Sequence, residues 1–488
     1  MSVETIPARL SRSRPRRAAR GAIVAVAATV TLALAAGQAH AATSRLTLPT
    51  ATTLRTSTAA PTVTAPATPS TTQTAPPPPA QQAFYSYTGS KPLKDIAPGT
   101  VLNTRTIDFH VAGISLPVTV VQLLYRSTTV LNTPTTNVTS VLLPPTPSLT
   151  PRLVAYNSFY DSTTSEDEPS YSFYGAPYDE GRELTTIETG DLSALLLAGD
   201  TVSVADTEGQ AADFATGPEY GMLTLDGIRA ALNSPADKLS STTPIALMGY
   251  SGGAIATGWA AQMAPSYAPA INKRLVGATM GGVLVEPDHN LHYIEGSSTW
   301  AGVMPMALVG ITRAYDINIQ PYLSTYGQQV VKALEATSIG TAEDDYAGIT
   351  WTQIAKPQYP EPETVAPFVT VANKLILGHD ALPKVPLQIT QGDQGELDGT
   401  TNDQSGIGPG DGVMIAGDVR SYAREACAAG DPVDYTEIPT DHEGGEPVWS
   451  AEALTWLATR FAGVTAPSDC STIAAGNPLT PVSLQPAG

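Results

Sequence analysis

The segment that most constrains the fold of this chain is Gly249-Tyr250-Ser251-Gly252-Gly253. It reads G-x-S-x-G. Ahead of it lies a short apolar run, Pro244-Ile245-Ala246-Leu247-Met248, patterned as a buried strand. Behind it comes a stretch of small residues with a helical pattern, Gly253 to Met263, which Ala264-Pro265 is expected to close. Strand, sharp turn and helix in that order make a nucleophile elbow, with the serine hydroxyl presented at the end of a sheet. The glycines keep side chains from colliding where strand and helix approach each other. A bare G-x-S-x-G is common by chance, and a glycine-rich turn in an ordinary β-α unit is the competing reading. The flanking strand and helix favour the elbow.

The ends of the chain read differently from its middle. Arg9, Arg12, Arg14, Arg16, Arg17 and Arg20 form a basic segment, and Ala22 to Ala36 is apolar. Ala39-His40-Ala41 fits a small-x-small cleavage site, so residues 1–41 read as a signal peptide and the mature chain as starting at Ala42. Residues 42–83 are rich in Thr, Pro and Ala, a composition that cannot bury enough apolar surface to fold, and read as a disordered linker. The protein is therefore expected outside the cytoplasm, secreted or held at the cell envelope. The net charge is −19, and losing the arginine-rich leader makes the mature chain more acidic still. That balance argues against nucleic acid and anionic membrane surfaces as partners.

The two cysteines, Cys427 and Cys470, suggest a disulfide in an exported protein. No His/Cys spacing suits a metal, and neither a metal site nor a cofactor is expected. The Gly/Asp-rich stretch after residue 391 has oxygen ligands enough for Ca²⁺ but lacks the spacing of a Ca²⁺ loop.

Between the ends, buried-strand candidates alternate with helical stretches. Val118–Tyr125 and Thr136–Leu143 read as strands of an antiparallel edge, with Pro117 just before the first. Arg152–Tyr156, Thr201–Ala205, Pro244–Met248, Leu275–Thr279, Pro386–Thr390 and Val433–Glu437 come after them. This is the pattern of an α/β fold, a mostly parallel central sheet covered by helices on both faces. The long stretch between the strands near 279 and 386 has helical patterns of its own and reads as a helical cap inserted before the last two strands. The expected division is 84–285 and 385–463 for the two parts of the core, 286–384 for the cap and 464–488 for a C-terminal tail. Trp300, Val303, Met304, Met306, Leu308 and Val309 make an apolar piece of the cap, facing either an acyl chain or a small core of its own.

A serine nucleophile needs a base, and the base needs an orienting acid. His289 and His292 fall at the start of the insert, and His379 precedes a strand, the wrong end for catalysis. His442 comes after the strand Val433–Ile438, in a turn from Pro439 to Gly445, at the carboxyl end where open α/β sheets build their sites. The acid is open on local pattern alone. Asp393, Asp398, Asp403, Asp411 and Asp418 all lie after the strand that ends near Thr390, with Asp393 nearest to it and Asp411 just ahead of the helix Val419–Cys427.

The chain resembles the secretory lipase family of α/β hydrolases, typified by fungal lipase A and actinobacterial relatives. The segments that carry the resemblance are Pro98–Leu102, Leu124–Thr128, Tyr160-Asp161 with Pro169–Tyr171, Asp206–Gly209, Leu225–Ala231 and the elbow itself. The resemblance implies a triad aspartate just ahead of the helix that ends in a cysteine, which favours Asp411 over Asp393. It also implies an oxyanion hole from Gly252 and Asp161. The function implied is a secreted ester hydrolase, a triacylglycerol lipase or acyl esterase, with an acyl-ester or lipid substrate. Transient contact with a lipid interface is expected, and no stable protein partner. A short-chain esterase, an acyltransferase on envelope lipids and a non-catalytic cell-surface binding protein of the same fold are the alternatives.

Overall fold

The computed structural model describes residues 75–235, 239–402 and 404–488. The expected leader and most of the linker lie outside the described residues, as does Asp403. The chain divides into two compact units, Met1–Pro76 and Pro77–Gly488, and every helix and strand among the described residues belongs to the second.

A nine-stranded sheet in the order β1-β2-β3-β5-β4-β6-β7-β8-β9 organises it. The first three strands, β1 (Val101–Val111), β2 (Ile114–Thr128) and β3 (Pro134–Leu142), form an antiparallel edge. From β4 (Leu153–Asn157) and β5 (Thr201–Ala205) through β6 (Ile245–Tyr250), β7 (Leu275–Gly281), β8 (Leu387–Gly392) and β9 (Val433–Ile438) every pairing is parallel. The central strands are buried on both faces, which is why they read as unbroken apolar runs. In β6, Ile245 and Leu247 join one core cluster while Ala246, Met248 and Tyr250 join the opposite one. The two-residue alternation of a strand is all that separates them.

Helices fill the crossovers. Between β4 and β5 run α1 (Pro169–Phe173), α2 (Glu183–Ile187) and α3 (Thr189–Leu197); α4 (Gly217–Asn233) joins β5 to β6. After β6 come α5 (Gly252–Tyr267) and α6 (Pro269–Asn272). The cap lies between β7 and β8 and holds α7 (Pro287–Ile294), α8 (Val303–Ala314), α9 (Thr325–Ala333), α10 (Ile339–Asp345), α11 (Trp351–Ile354) and α12 (Ala366–Ala372). Then α13 (Ala416–Ala428) leads to β9, and α14 (His442–Phe461) closes the core. Cys427 at the end of α13 is joined by a disulfide to Cys470 in the tail, with 5.6 Å between the Cα atoms.

Four local expectations need correction. Pro117 lies inside β2 rather than before it, where a register shift between Asp108 and Phe109 of β1 leaves it out of the ladder, so its missing N–H is harmless. Pro265 does not close the elbow helix: α5 runs on to Tyr267, because a proline near the last turn removes one hydrogen bond without stopping the packing behind it. The end of the stretch read as linker is folded: Pro79–Gln81 forms a 3₁₀ turn with Pro79 buried, and Tyr85 in the next turn reaches Ser170 at 3.0 Å. His442 is not in a loop turn but is the first residue of α14, whose N-cap Asp441 accepts from the Gly444 N–H.

Candidate active site

Every side chain of the site sits beyond the carboxyl end of a parallel strand. The chain steps from β4 to β5 on one side and then crosses back to place β6 on the other side of β4. The loops leaving β4 and β6 therefore diverge and leave a crevice, the usual place for a site in an open α/β sheet. Asp161 comes from the loop after β4 and Ser251 from the turn after β6. Asp411 lies after β8 and His442 after β9.

Ser251 has φ 51° and ψ −120°, a strained conformation for a residue with a side chain. It is held by the packing of strand on helix. The Ser251 N–H donates to Gly281 O of the neighbouring strand at 2.9 Å. A Cβ on Gly253 would overlap the Asn157 carbonyl, and a Cβ on Gly252 would overlap the Asp161 carboxylate. Only glycine permits that approach.

The hydroxyl of Ser251 donates to His442 Nε2 at 2.8 Å. His442 Nδ1–H donates to Asp411 Oδ2, also at 2.8 Å. Asp411 is fully buried and accepts further bonds from Gln391 Nε2 (2.9 Å) and from the backbone N–H groups of Val413 (3.1 Å) and Met414 (2.7 Å). These partners leave the carboxylate one orientation. Asp393 is not part of this chain of contacts: its Oδ1 accepts from Gln394 Nε2. Asp418 sits on His289, 3.1 Å from Nδ1, and Asp398 accepts from Trp300 Nε1 at 3.2 Å. Of the candidate aspartates among the described residues, Asp411 is the one that reaches His442.

The imidazole is buried between rings. Tyr250 lies 5.1 Å from it centroid to centroid, and Trp300 of the cap meets it edge-on at 5.2 Å. The Tyr250 hydroxyl donates to the His442 carbonyl at 2.7 Å. Burial alone lowers the basicity of His442, but the charge and hydrogen bond of Asp411, with Asp398 and Asp161 beyond, outweigh it and raise the ring above its ordinary value. Asp161 is pushed up to about 7 by burial, against the pull of His442. A carboxyl in that state carries a proton through much of the acidic and neutral range and can donate it in a hydrogen bond.

Gly252 is the first residue of α5, so its N–H has no acceptor within the helix. With Asp161 and Ser251 it forms the polar end of a mostly apolar pocket. Leu291, Trp300, Met304 and Leu308 of the cap line its walls. A second apolar cavity shares Pro287, Leu308, Ile311 and Phe368 with the first. The apolar piece of the cap thus divides: Met306 and Val309 pack in the cap's own core, while Trp300, Val303, Met304 and Leu308 also face the cavity.

Sequence reasoning missed the support around these groups. Gln391 carried no signal, being one polar residue at a strand end. Trp300 was visible only as part of an apolar run. The buried acids Glu168, Asp206 and Glu208 lay in conspicuous segments, but nothing in their spacing said that they are buried together behind the Asp161 loop, where the Ser162 N–H donates to Glu208 Oε1 at 3.1 Å.

Residues 180–469 match the family model described as secretory lipase. A protein of Mycobacterium tuberculosis named as a probable inactive lipase is 31% identical over 373 residues, covering 75% of this chain and 79% of its own. A trichothecene C-3 esterase of Fusarium sporotrichioides is 32% identical over 340 residues, 65% of this chain and 72% of its own. Among solved structures, Candida antarctica lipase A in its closed state superposes with a TM-score of 0.72 at 26% identity, covering 83% of this chain and 91% of that one.

Proposed function

Since the chain belongs to the secretory lipase family, an α/β-hydrolase family of serine ester hydrolases, we propose that it hydrolyses acyl esters with long apolar chains through Ser251, His442 and Asp411. The observation that carries this reading is the apolar cavity that begins at Ser251 and runs under the cap. It suits an acyl chain, since each buried methylene adds about 0.8 kcal/mol of binding.

In this scheme Ser251 Oγ attacks the ester carbonyl as His442 Nε2 takes its proton. Asp411 holds the imidazole with Nδ1–H directed at its own carboxylate and stabilises the imidazolium that forms. The Gly252 N–H and the protonated Asp161 carboxyl donate to the developing oxyanion. His442 then returns the proton to the leaving alcohol, and water splits the acyl-enzyme by the same steps with His442 again as base. One relative is named as a probable inactive lipase, so the contacts from Ser251 through His442 to Asp411 are the feature to test in this chain.

Export belongs to the same reading. Residues 1–41 act as a cleaved leader, and N-terminal sequencing of the exported protein should begin at Ala42. No helix among the described residues is long and apolar enough to cross a membrane.

The test is an acyl-chain series of monomeric and emulsified esters with the wild type and Ser251→Ala. Rates should climb with chain length, and Ser251→Ala should abolish them at every length. Turnover confined to short soluble esters would make the protein a short-chain esterase. Failure of a serine-directed phosphonate to label Ser251 would remove the catalytic reading altogether.

A further inference from the structure

Away from Ser251, three side chains converge beside the cap's first helix. Asp288 and His292 are four residues apart on α7 and therefore share one face of it. Glu363 comes from the 3₁₀ turn Pro362–Thr364, just before α12. One potential ligand atom from each lies within 4.8 Å of the others. His292 Nε2 is 2.9 Å from Glu363 Oε1.

That hydrogen bond leaves part of the group unsatisfied. Asp288 is 6% exposed, and its Oδ1 has no hydrogen-bond partner among the described residues. Glu363 Oε2 is likewise buried without a partner among them. A buried carboxylate oxygen without a donor is costly, and protein structures seldom tolerate it unless an ion or water completes it. The unsatisfied atoms are acceptors, so the missing group is a cation or a donor. One imidazole and two carboxylates form a donor set suited to a borderline divalent metal, zinc above all, and a poor set for Ca²⁺ or Mg²⁺, which favour oxygen alone.

We propose that Asp288, His292 and Glu363 form a Zn²⁺ site that clamps the two ends of the cap together. The sequence held no expectation of this, because the ligands are not cysteines and the third is remote in the chain. Zinc bonds of about 2.0–2.2 Å place tetrahedral ligands roughly 3.3–3.6 Å apart, so the three donors close on an ion by side-chain rotation. The metal takes the place of the proton between His292 Nε2 and Glu363 Oε1, and that proton leaves to solvent. His292 and Glu363 remain partly open to water, which gives the ion its way in and leaves room for a water as fourth ligand. The consequence for the cap is mechanical. The same α7 that carries Asp288 and His292 presents Leu291 and Ile294 to the acyl cavity, and α12 after Glu363 presents Phe368.

The test is calorimetric titration of Zn²⁺ into chelator-treated, tag-free mature protein, with Mg²⁺ for comparison, and thermal melts with and without metal. One Zn²⁺ should bind per chain, with release of a proton and a melting temperature higher by a few degrees, reversed by chelator. His292→Gln keeps a donor to Glu363 but is a poor zinc ligand. It and Asp288→Asn should weaken binding at least about tenfold, while His289→Gln should bind as the wild type does. Absence of stoichiometric Zn²⁺ binding by the wild type overturns the site, as does undiminished binding by His292→Gln. If the variants fail to fold, the wild-type titration and its chelator reversal decide alone. None of these readouts depends on ester turnover, so the site and the proposed function stand or fall separately.

Discussion

At the scale of single residues, the proposed acid of the site is where charge and geometry are most tightly drawn. Asp411 accepts four hydrogen bonds while fully buried, which fixes the tautomer and the direction of His442. Asp411→Asn should cut kcat by about 10⁴, the scale seen when the tautomer-fixing acid of a triad is lost. Asp393→Asn should leave kcat within a factor of about two, since its carboxylate accepts from Gln394 and not from His442; the opposite ranking would move the role to Asp393. Asp161 invites a pH experiment. As an oxyanion donor it must carry its proton, and burial puts its ionisation at about 7. Activity should therefore fall as pH rises through about 7. Asp161→Asn donates at every pH and should lose that alkaline limb, whereas Asp161→Ala should lose about 10²–10³ in kcat across the range. An unchanged profile in Asp161→Asn would exclude the carboxyl as the donor.

At the scale of elements, the cap is tied directly to the loop after β4 that carries Asp161. Ile339 at the start of α10 donates to the Asp161 carbonyl at 3.0 Å, and Thr163 N–H donates to Thr337 O at 2.9 Å. Cap and loop are therefore mechanically coupled. Leu308 of α8 stands between the two apolar cavities. Leu308→Trp should block passage from one to the other. We expect dodecanoyl ester turnover to fall on the order of tenfold or more while butyryl ester turnover changes little. Equal losses for both esters would mean that the chain does not run past Leu308. On the other side of the core, the disulfide Cys427–Cys470 closes a loop spanning 43 positions between α13 and the tail. Loop-closure entropy for that length is about 4 kcal/mol, so Cys427→Ser with Cys470→Ser should lower unfolding stability by roughly 2–4 kcal/mol in denaturant titration, with chemistry at Ser251 intact.

At the scale of the whole molecule, the surplus of acidic groups is partly folded inward. Burial raises Asp206 and Asp213 to about 6 and Glu219 and Glu446 to about 7, and pushes Glu168 and Glu208 well above the ordinary carboxylate range. Each such group binds a proton more tightly folded than unfolded. The stability it supports is complete below the unfolded values near 4 and is lost as pH rises through 6 to 7. The melting temperature should thus be higher at about pH 5 than at about pH 8 by differential scanning calorimetry. A melting temperature that rises over this window would show that these carboxyls are compensated in the folded state.

What the sequence determined by itself rests on short-range rules. The elbow at Ser251, the strands from Arg152 onward, the cap between the strands near 279 and 386, and the placement of His442 after the last strand are all written in local periodicity, strand ends and glycines. The extent of β1 was not legible, because most of its residues are polar and half-exposed and it is held by pairing with β2. Nor was Pro117 in its bulge, which exists only where two strands disagree in length. The choice among five aspartates after β8 could not be made by spacing, since all share one loop or its following helix. Among the described ones, the tertiary fold turns Asp411 inward onto three donors and His442 and leaves Asp393 with its neighbour Gln394. The same holds for Glu363 beside Asp288 and His292. Contacts between residues far apart in the chain are set by how the sheet and cap pack, and no local pattern encodes them.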